Sequence, residues 1–159
     1  MKTFSGVLIL IFCISVLFGC EQDSNEIMPD NSLWVYVDGA IWKSDTVYVN
    51  YTASTNTTVI TANHGNDNEQ INLSFLGNTV GNYSFSSGEE PRFGNYFRNS
   101  TNELYWSSST TKPFGNIIVT EYDHYNHWLS GSFYFDAYDS IGTKKVLTSG
   151  KFNKLTFSN

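Results

Sequence analysis

The sequence predicts an all-β domain, an antiparallel meander of about eight to ten strands that forms a sandwich or a partly closed barrel. Two observations predict this class. Aromatic residues make up 16% of the chain and charged residues only 15%, whereas a disordered chain has few aromatic residues and many charges. Apolar and polar residues also alternate with period two through most of the chain, and no window beyond residue 19 has the apolar spacing of a helix.

The chain opens with a segment typical of export. Lys2 is followed by an almost unbroken apolar run from Thr3 to Phe18, which is shorter than the ~20 residues that a membrane-spanning helix needs. The run ends at the small residue Gly19, as a secretory signal peptide does. The sequence therefore predicts a signal peptide over residues 1–19, and an uncleaved N-terminal anchor helix is the alternative.

Cys20 is the sole cysteine left after cleavage, because Cys13 lies within the signal peptide. A lone cysteine in an exported chain forms no internal disulfide and needs another role. The stretch L-F-G-C (17–20) resembles the bacterial lipobox, in which the cysteine thiol is alkylated with diacylglycerol before a peptidase cuts in front of it. The resemblance implies cleavage between Gly19 and Cys20. It also implies a lipid anchor on Cys20, where each buried CH₂ of an acyl chain contributes about 0.8 kcal/mol.

A polar tether is predicted over residues 20–32. It carries acidic residues at positions 21, 23, 26 and 30 and has no aromatic residue, a composition that favours a solvated spacer. Acidic residues after a lipidated cysteine also resemble the surface-export signal of small Bacteroides-group lipoproteins, although an ordinary polar linker explains them equally well. The predicted location is the outer membrane, with the periplasmic face and the cell surface both left open.

The predicted β domain covers residues 33–159. Its first strand places Leu33, Val35 and Val37 on one face and Trp34 and Tyr36 on the other. Asp38-Gly39 then favours a type I′ turn into a second strand, which completes a hairpin. The next strands are predicted at 46–51, 56–63, 69–76, 81–88 and 102–109, with irregular chain around Pro91.

The C-terminal third has the clearest alternation, with strands predicted at 115–123, 127–139 and 144–157. In the second of these, one face carries Leu129, Gly131, Phe133, Phe135 and Ala137. If that face packs on the core, the opposite face presents Trp128, Tyr134 and Tyr138.

Four motifs occur in order along this domain: V-D-G-A-I-W-K-S-D (37–45), G-x-I-x-V-T-x-Y-D (115–123), L-S-G-S-F-Y-F (129–135) and S-G-K-F (149–152). Their order resembles a family of small, uncharacterised Bacteroides-group lipoproteins. The resemblance implies an all-β domain of unknown function behind a lipid anchor. It brings no established activity and therefore no functional residues.

The aromatic excess favours a binding function. Exposed rings stack on sugars through their apolar faces while their polar rims tolerate water. The candidate ligand-binding residues are Trp128, Tyr134, Tyr138 and Trp34, and Tyr36 and Trp42 of the first hairpin are expected to extend the same surface. The alternative is that a second sheet covers these rings.

Charge and composition exclude other partners. Removal of Lys2 with the signal peptide leaves 8 basic and 15 acidic residues, a net charge of −7, which argues against nucleic acid and anionic lipid head groups. Asp123, His124 and His127 share one loop, but a zinc site needs three or four converging ligands. A solvated turn is the favoured interpretation, so no metal and no cofactor are expected.

No catalytic pattern stands out either, because the chain has no G-x-S-x-G elbow and no free cysteine after lipidation. The sequence therefore predicts no enzyme. It predicts a membrane-anchored cell-envelope lipoprotein with a binding domain for a glycan or an envelope protein. A structural accessory subunit of an outer-membrane assembly is the alternative, followed by an envelope hydrolase.

Overall fold

A computed structural model describes residues 26–65, 68–85, 92–107 and 114–158, with the side chain of residue 158 excepted. The predicted signal peptide, its cleavage site and Cys20 lie outside the described residues. Within these ranges the chain is all-β, as predicted, with no α-helix. None of the described residues belongs to a helix with the length and apolar character needed to cross a membrane.

The described residues form eleven strands. They are β1 (Ser32–Val37), β2 (Ala40–Lys43), β3 (Thr46–Thr52), β4 (Thr57–His64), β5 (Glu69–Leu76), β6 (Gly81–Ser84), β7 (Phe93–Arg98), β8 (Glu103–Trp106), β9 (Gly115–Asp123), β10 (Trp128–Tyr138) and β11 (Lys144–Ser158). Ten of these correspond to predicted strands. The additional one is β7, which lies where the sequence predicts irregular chain.

The strands build one sheet in the order β2-β1-β11-β3-β4-β5-β7-β8-β10-β9-β6. Its pairings are antiparallel apart from the end of β11, where Phe157 and Ser158 pair in parallel with Val49 and Asn50 of β3. The sheet is therefore mixed, not wholly antiparallel as predicted. Because β10 pairs with β11 and also with β8, the sheet curls back into a partial ring.

The ring has two opposed parts that make the fold sandwich-like. We call β3-β4-β5-β7-β8 the front sheet and β2-β1-β11-β10-β9-β6 the back sheet. Their inner faces meet in one core, where Phe75 of β5 packs on Tyr83 of β6 with ring centroids 4.6 Å apart. Phe135 of β10 packs over Gly94 of β7 so closely that a Cβ on that glycine would lie 2.7 Å from the ring.

The first hairpin follows the predicted pattern. Leu33 and Val35 are fully buried whereas Tyr36 is 43% exposed, which confirms the alternation. Asp38 and Gly39 have φ values of 49° and 84°, as a type I′ turn requires. Burial alone would raise the pKa of Asp38, but hydrogen bonds from Lys145 and from the backbone N–H of Val146 lower the pKa.

The last strand departs from strict alternation at two bulges. Its buried positions are Leu147, Gly150, Phe152, Leu155 and Phe157. Ser149 and Lys154 have positive φ values of 53° and 41°, and the register against β10 shifts at both places. Each bulge inserts one extra residue and resets which face the following side chains take. The two bulges together keep the apolar side of this long strand on the core.

Candidate functional site

The outward side of the front sheet, which we call the front face, is a regular array of uncharged side chains. Backbone pairing aligns one residue from each of its five strands in a middle row: Tyr48, Thr61, Asn72, Asn95 and Trp106. A neighbouring row contains Thr46, Asn63, Gln70, Phe97 and Leu104. Because paired residues point to the same side of a sheet, each row presents its side chains together.

Four amide side chains in these rows form a hydrogen-bonded ladder. Nε2 of Gln70 donates to Oδ1 of Asn63 at 2.9 Å. Nδ2 of Asn72 donates both to Oε1 of Gln70 at 2.9 Å and to Oδ1 of Asn95 at 2.8 Å. These bonds fix the orientation of the amides, and they use only part of the donors and acceptors that a primary amide carries.

Aromatic side chains flank the amide ladder on both sides. Tyr48 is 64% exposed at the β3 end of the middle row. At the β8 end Trp106 packs against Phe93, with 5.4 Å between the ring centroids. Phe97 lies beside Gln70 in the neighbouring row. The front face thus offers flat apolar rings next to groups that donate and accept hydrogen bonds.

A cleft of about 380 Å³ opens at the edge of the front face, where the β4–β5 and β7–β8 connections meet. Asn63, Gln70 and Phe97 extend the ladder into its wall, and Asp45 and His64 lie at its rim. The Asp45 carboxylate is 3.5 Å from Nδ1 of His64 and accepts a hydrogen bond from the backbone N–H of Gly65. The cleft is polar and open, with one aromatic wall.

The front face carries no Asp, Glu, Lys or Arg on the strands that form it. Within β3, β4, β5, β7 and β8 these residue types occur only as Glu69, Arg98 and Glu103. Those three share one inward-facing row of paired residues with His64. An uncharged surface of this extent stands out in a chain with 15 acidic and 9 basic residues.

Comparison with protein families places most of this chain in a single family. Residues 30–156 match the family described as "Domain of unknown function (DUF6252)". The chain belongs to the DUF6252 family. This agrees with the predicted resemblance to an uncharacterised family, whose motifs run through most of the β domain. No curated protein and no solved structure matches the chain.

Inside this DUF6252 domain, Glu69 is the centre of a buried polar cluster. Its Oε1 accepts hydrogen bonds from the Tyr96 hydroxyl at 2.8 Å and from Nε of Arg98 at 2.7 Å. Its Oε2 accepts one from Nε1 of Trp42 at 2.8 Å. Because Trp42 belongs to β2 and the others to β5 and β7, the cluster ties the back sheet to the front sheet.

The position of Trp42 corrects one expectation. The sequence predicts that Trp42 extends an outer aromatic surface, but its side chain is only 5% exposed and points into the domain. The pairing of Trp42 with the buried Val35 places both residues on the core side of the hairpin. Its indole ring also lies 5.5 Å from the His64 ring.

The other predicted aromatic residues point outward on the back sheet without forming one site. Lys43 places its Nζ 4.1 Å from the ring centroid of Trp34, and Lys154 lies 5.9 Å from that of Trp128. Tyr134 packs on Phe114 in a separate groove of about 510 Å³. Trp34, Trp128 and Tyr138 do not line that groove. Tyr138 pairs with Trp106 of β8 and so lies next to the β8 end of the middle row. These four predicted residues therefore do not line one common groove.

The loop with two histidines has the chemistry of a turn. The Asp123 carboxylate accepts hydrogen bonds from the backbone N–H groups of Tyr125 and Asn126, both at 2.8 Å. Hydrogen bonds from the Asn126 backbone and side chain lower the pKa of Asp123. His127 packs edge-on against Phe157 with ring centroids 5.6 Å apart. Among the described residues no three His, Cys, Asp or Glu side chains converge as metal ligands would.

The sequence interpretation missed the amides of the front face. The predicted binding residues are all aromatic, and no amide is among them. The sequence feature that could have predicted these amides is the stretch Gln70-Ile71-Asn72-Leu73. Its amides alternate with aliphatic residues, which are fully buried in the structure. That alternation places both amides on the outside of a strand.

Proposed function

We propose that this chain is a lipid-anchored cell-envelope lipoprotein of the outer membrane whose β domain binds a glycan without catalysis. The observation that carries this proposal is the front face, whose strands combine an ordered amide ladder with the exposed ring of Tyr48, the half-buried rings of Phe97 and Trp106, and no outward charge. Sugar hydroxyls donate and accept hydrogen bonds, as amides do, and the apolar faces of sugars stack on aromatic rings. Tyr48, Gln70 and Asn72 are the central contact residues in this proposal, and Asn95, only 5% exposed, holds the Asn72 amide in place from below.

The course of the chain before β1 supports the display of this face away from the membrane. Glu26 forms an ion pair with Lys43 of β2 at 2.7 Å, and Nδ2 of Asn153 on β11 donates to the backbone oxygen of Met28 at 3.0 Å. Both partners belong to the back sheet. Glu26 and Met28, which belong to the proposed tether (20–32), thus contact the domain on the side opposite the front face.

Glycan binding is tested by electrophoresis of the intact lipoprotein, in a nonionic detergent, through native gels that contain single polysaccharides. We expect at least one polysaccharide to retard the protein relative to a polysaccharide-free gel. Migration that is unchanged in every polysaccharide of a broad panel would refute the glycan proposal.

The lipid anchor has its own test. We expect Cys20→Ser to abolish the incorporation of labelled fatty acid and to remove the chain from the outer-membrane fraction, because the thiol is the group that is alkylated. The matched control is Cys13→Ser, which changes a thiol inside the proposed signal peptide and is expected to leave both readouts unchanged. Fatty-acid labelling that persists in Cys20→Ser would contradict the anchor.

A further inference from the structure

We infer that the ligand of the front face is a neutral, extended glycan chain that lies across the strands along the middle row, from Tyr48 to Trp106. This inference rests on the proposed function and goes beyond it, because it names the charge class of the glycan and the direction in which it lies.

The distribution of basic residues argues for a neutral ligand. The lysines among the described residues are Lys43, Lys144, Lys145, Lys151 and Lys154, and all lie on β2 or β11 of the back sheet. Arg98, the one arginine on the front strands, faces inward and bonds Glu69. An acidic sugar on the five front strands would lose water around its carboxylate without gaining a cationic partner from those strands, which is unfavourable. The net negative charge of the chain adds repulsion.

The amide ladder suits hydroxyl groups better than charged groups. An amide presents a donor and an acceptor side by side, and a hydroxyl group both donates and accepts. Because Gln70, Asn72 and Asn95 already hold one another in place, a ligand does not have to order them on binding. Prior ordering of this kind strengthens binding by reducing the entropy that is lost.

The arrangement of rings sets the direction of the chain. The middle row crosses five strands that are spaced about 4.8 Å apart, so it spans roughly 19 Å. Within the front sheet it begins at Tyr48 and ends at Trp106, which pairs in turn with Tyr138 of β10. Between the two rings lie the half-buried Thr61 and Asn72 and the buried Asn95. Along β7 the outward residues Phe93, Asn95 and Phe97 also alternate ring, amide and ring, but that amide is only 5% exposed. The hydrogen-bonded ladder itself runs across the strands, from β4 through β5 to β7. A chain across the strands therefore meets a ring, then polar groups, then a second ring.

The same composition disfavours a protein partner. The centres of protein interfaces are enriched in arginine and methionine as well as aromatic residues. The outward positions of the five front strands include neither arginine nor methionine. The outward positions carry amides instead, which can hydrogen-bond to sugar hydroxyl groups directly or through bridging water.

The test compares uncharged glucan, mannan and xylan with polygalacturonate and alginate, using the intact lipoprotein in detergent. We expect retention by at least one neutral polymer and by neither acidic polymer. Tyr48→Ala is expected to weaken retention about 5- to 10-fold through loss of the stacking ring. Tyr48→Phe, which keeps the ring, is expected to stay close to the native affinity. Tyr36→Ala is the matched control, because Tyr36 is an exposed tyrosine on the back sheet.

Each other outcome overturns a stated part of the inference. Retention by the acidic polymers alone would overturn the neutral class and leave glycan binding standing. Retention by no polymer would overturn both glycan binding and this inference. If Tyr134→Ala weakened binding and Tyr48→Ala did not, the site would be on the back sheet. Affinity for soluble oligosaccharides that stops rising at a disaccharide would overturn the placement across the strands.

Discussion

Replacement of Glu69 with glutamine is expected to lower the free energy of unfolding by about 3 kcal/mol, because it breaks a buried charge network while leaving Arg98 in place. The Glu69 side chain accepts hydrogen bonds from Trp42, Tyr96 and Arg98. Glutamine has one acceptor oxygen, so its NH₂ group must face at least one of these three donors. Chemical denaturation of the two proteins at neutral pH measures the difference.

The matched control is Glu103→Gln. The Glu103 carboxylate lies 3.9 Å from the other side of the Arg98 guanidinium, and its side chain is 39% exposed. Exposed pairs of this kind contribute about 0–1 kcal/mol, so the control is expected to cost less than 1 kcal/mol. Equal losses for the two variants would contradict the role of Glu69 as the tie between the sheets.

The same carboxylate gives the stability a defined dependence on pH. Burial alone would raise the pKa of Glu69, but hydrogen bonds from Tyr96, Arg98 and Trp42 outweigh it and hold the pKa below its ordinary value of 4.5. A lowered pKa in the folded state means that the contribution is complete above pH 4.5 and is lost as the pH falls through the folded pKa. We therefore expect Glu69→Gln to reduce the loss of stability on acidification.

The strands of the domain were predictable where one face is apolar throughout. The first strand shows the alternation of inward and outward side chains that a half-buried strand imposes, with Leu33 and Val35 inward and Trp34 and Tyr36 outward. The face of Trp42 was also predictable, because a two-residue turn at Asp38-Gly39 fixes the pairing of Val35 with Trp42. The prediction that Trp42 faces outward was wrong because it rested on the aromatic character of the residue and not on the register of the hairpin.

The strand β7 was not predictable from apolar periodicity. Its inward residues are Gly94, Tyr96 and Arg98, a mixture without an apolar pattern. Each of them is explained by a distant contact: Gly94 makes room for Phe135 of β10, and the other two bond Glu69 of β5. Without β7 the sequence leaves no strand next to β5 to supply Asn95 and Phe97, so the front face does not emerge from the sequence alone.

Replacement of Gly131 with alanine is expected to lower the free energy of unfolding by about 3 kcal/mol, the upper end of the usual cost of overpacking a core. Gly131 of β10 pairs with Phe152 of β11. A Cβ at position 131 would lie 2.5 Å from Cζ of Phe152 and would also collide with the backbone oxygen of Ile118. The Phe152 ring can shift away only by disturbing the packing of the core. The backbone oxygen of Ile118 belongs to β9 and cannot move away without distorting that strand.

The adjacent residue supplies the control for Gly131→Ala. Ser132 lies on the same strand, and its outward side chain is half-buried on the back sheet, so Ser132→Ala is expected to change the free energy of unfolding by at most ~0.5 kcal/mol. Thermal and chemical denaturation of both variants separate the two effects. A cost for Gly131→Ala no larger than that of Ser132→Ala would mean that β9, β10 and β11 separate easily. In that case the close packing of Phe152 on a glycine would not be what sets their spacing.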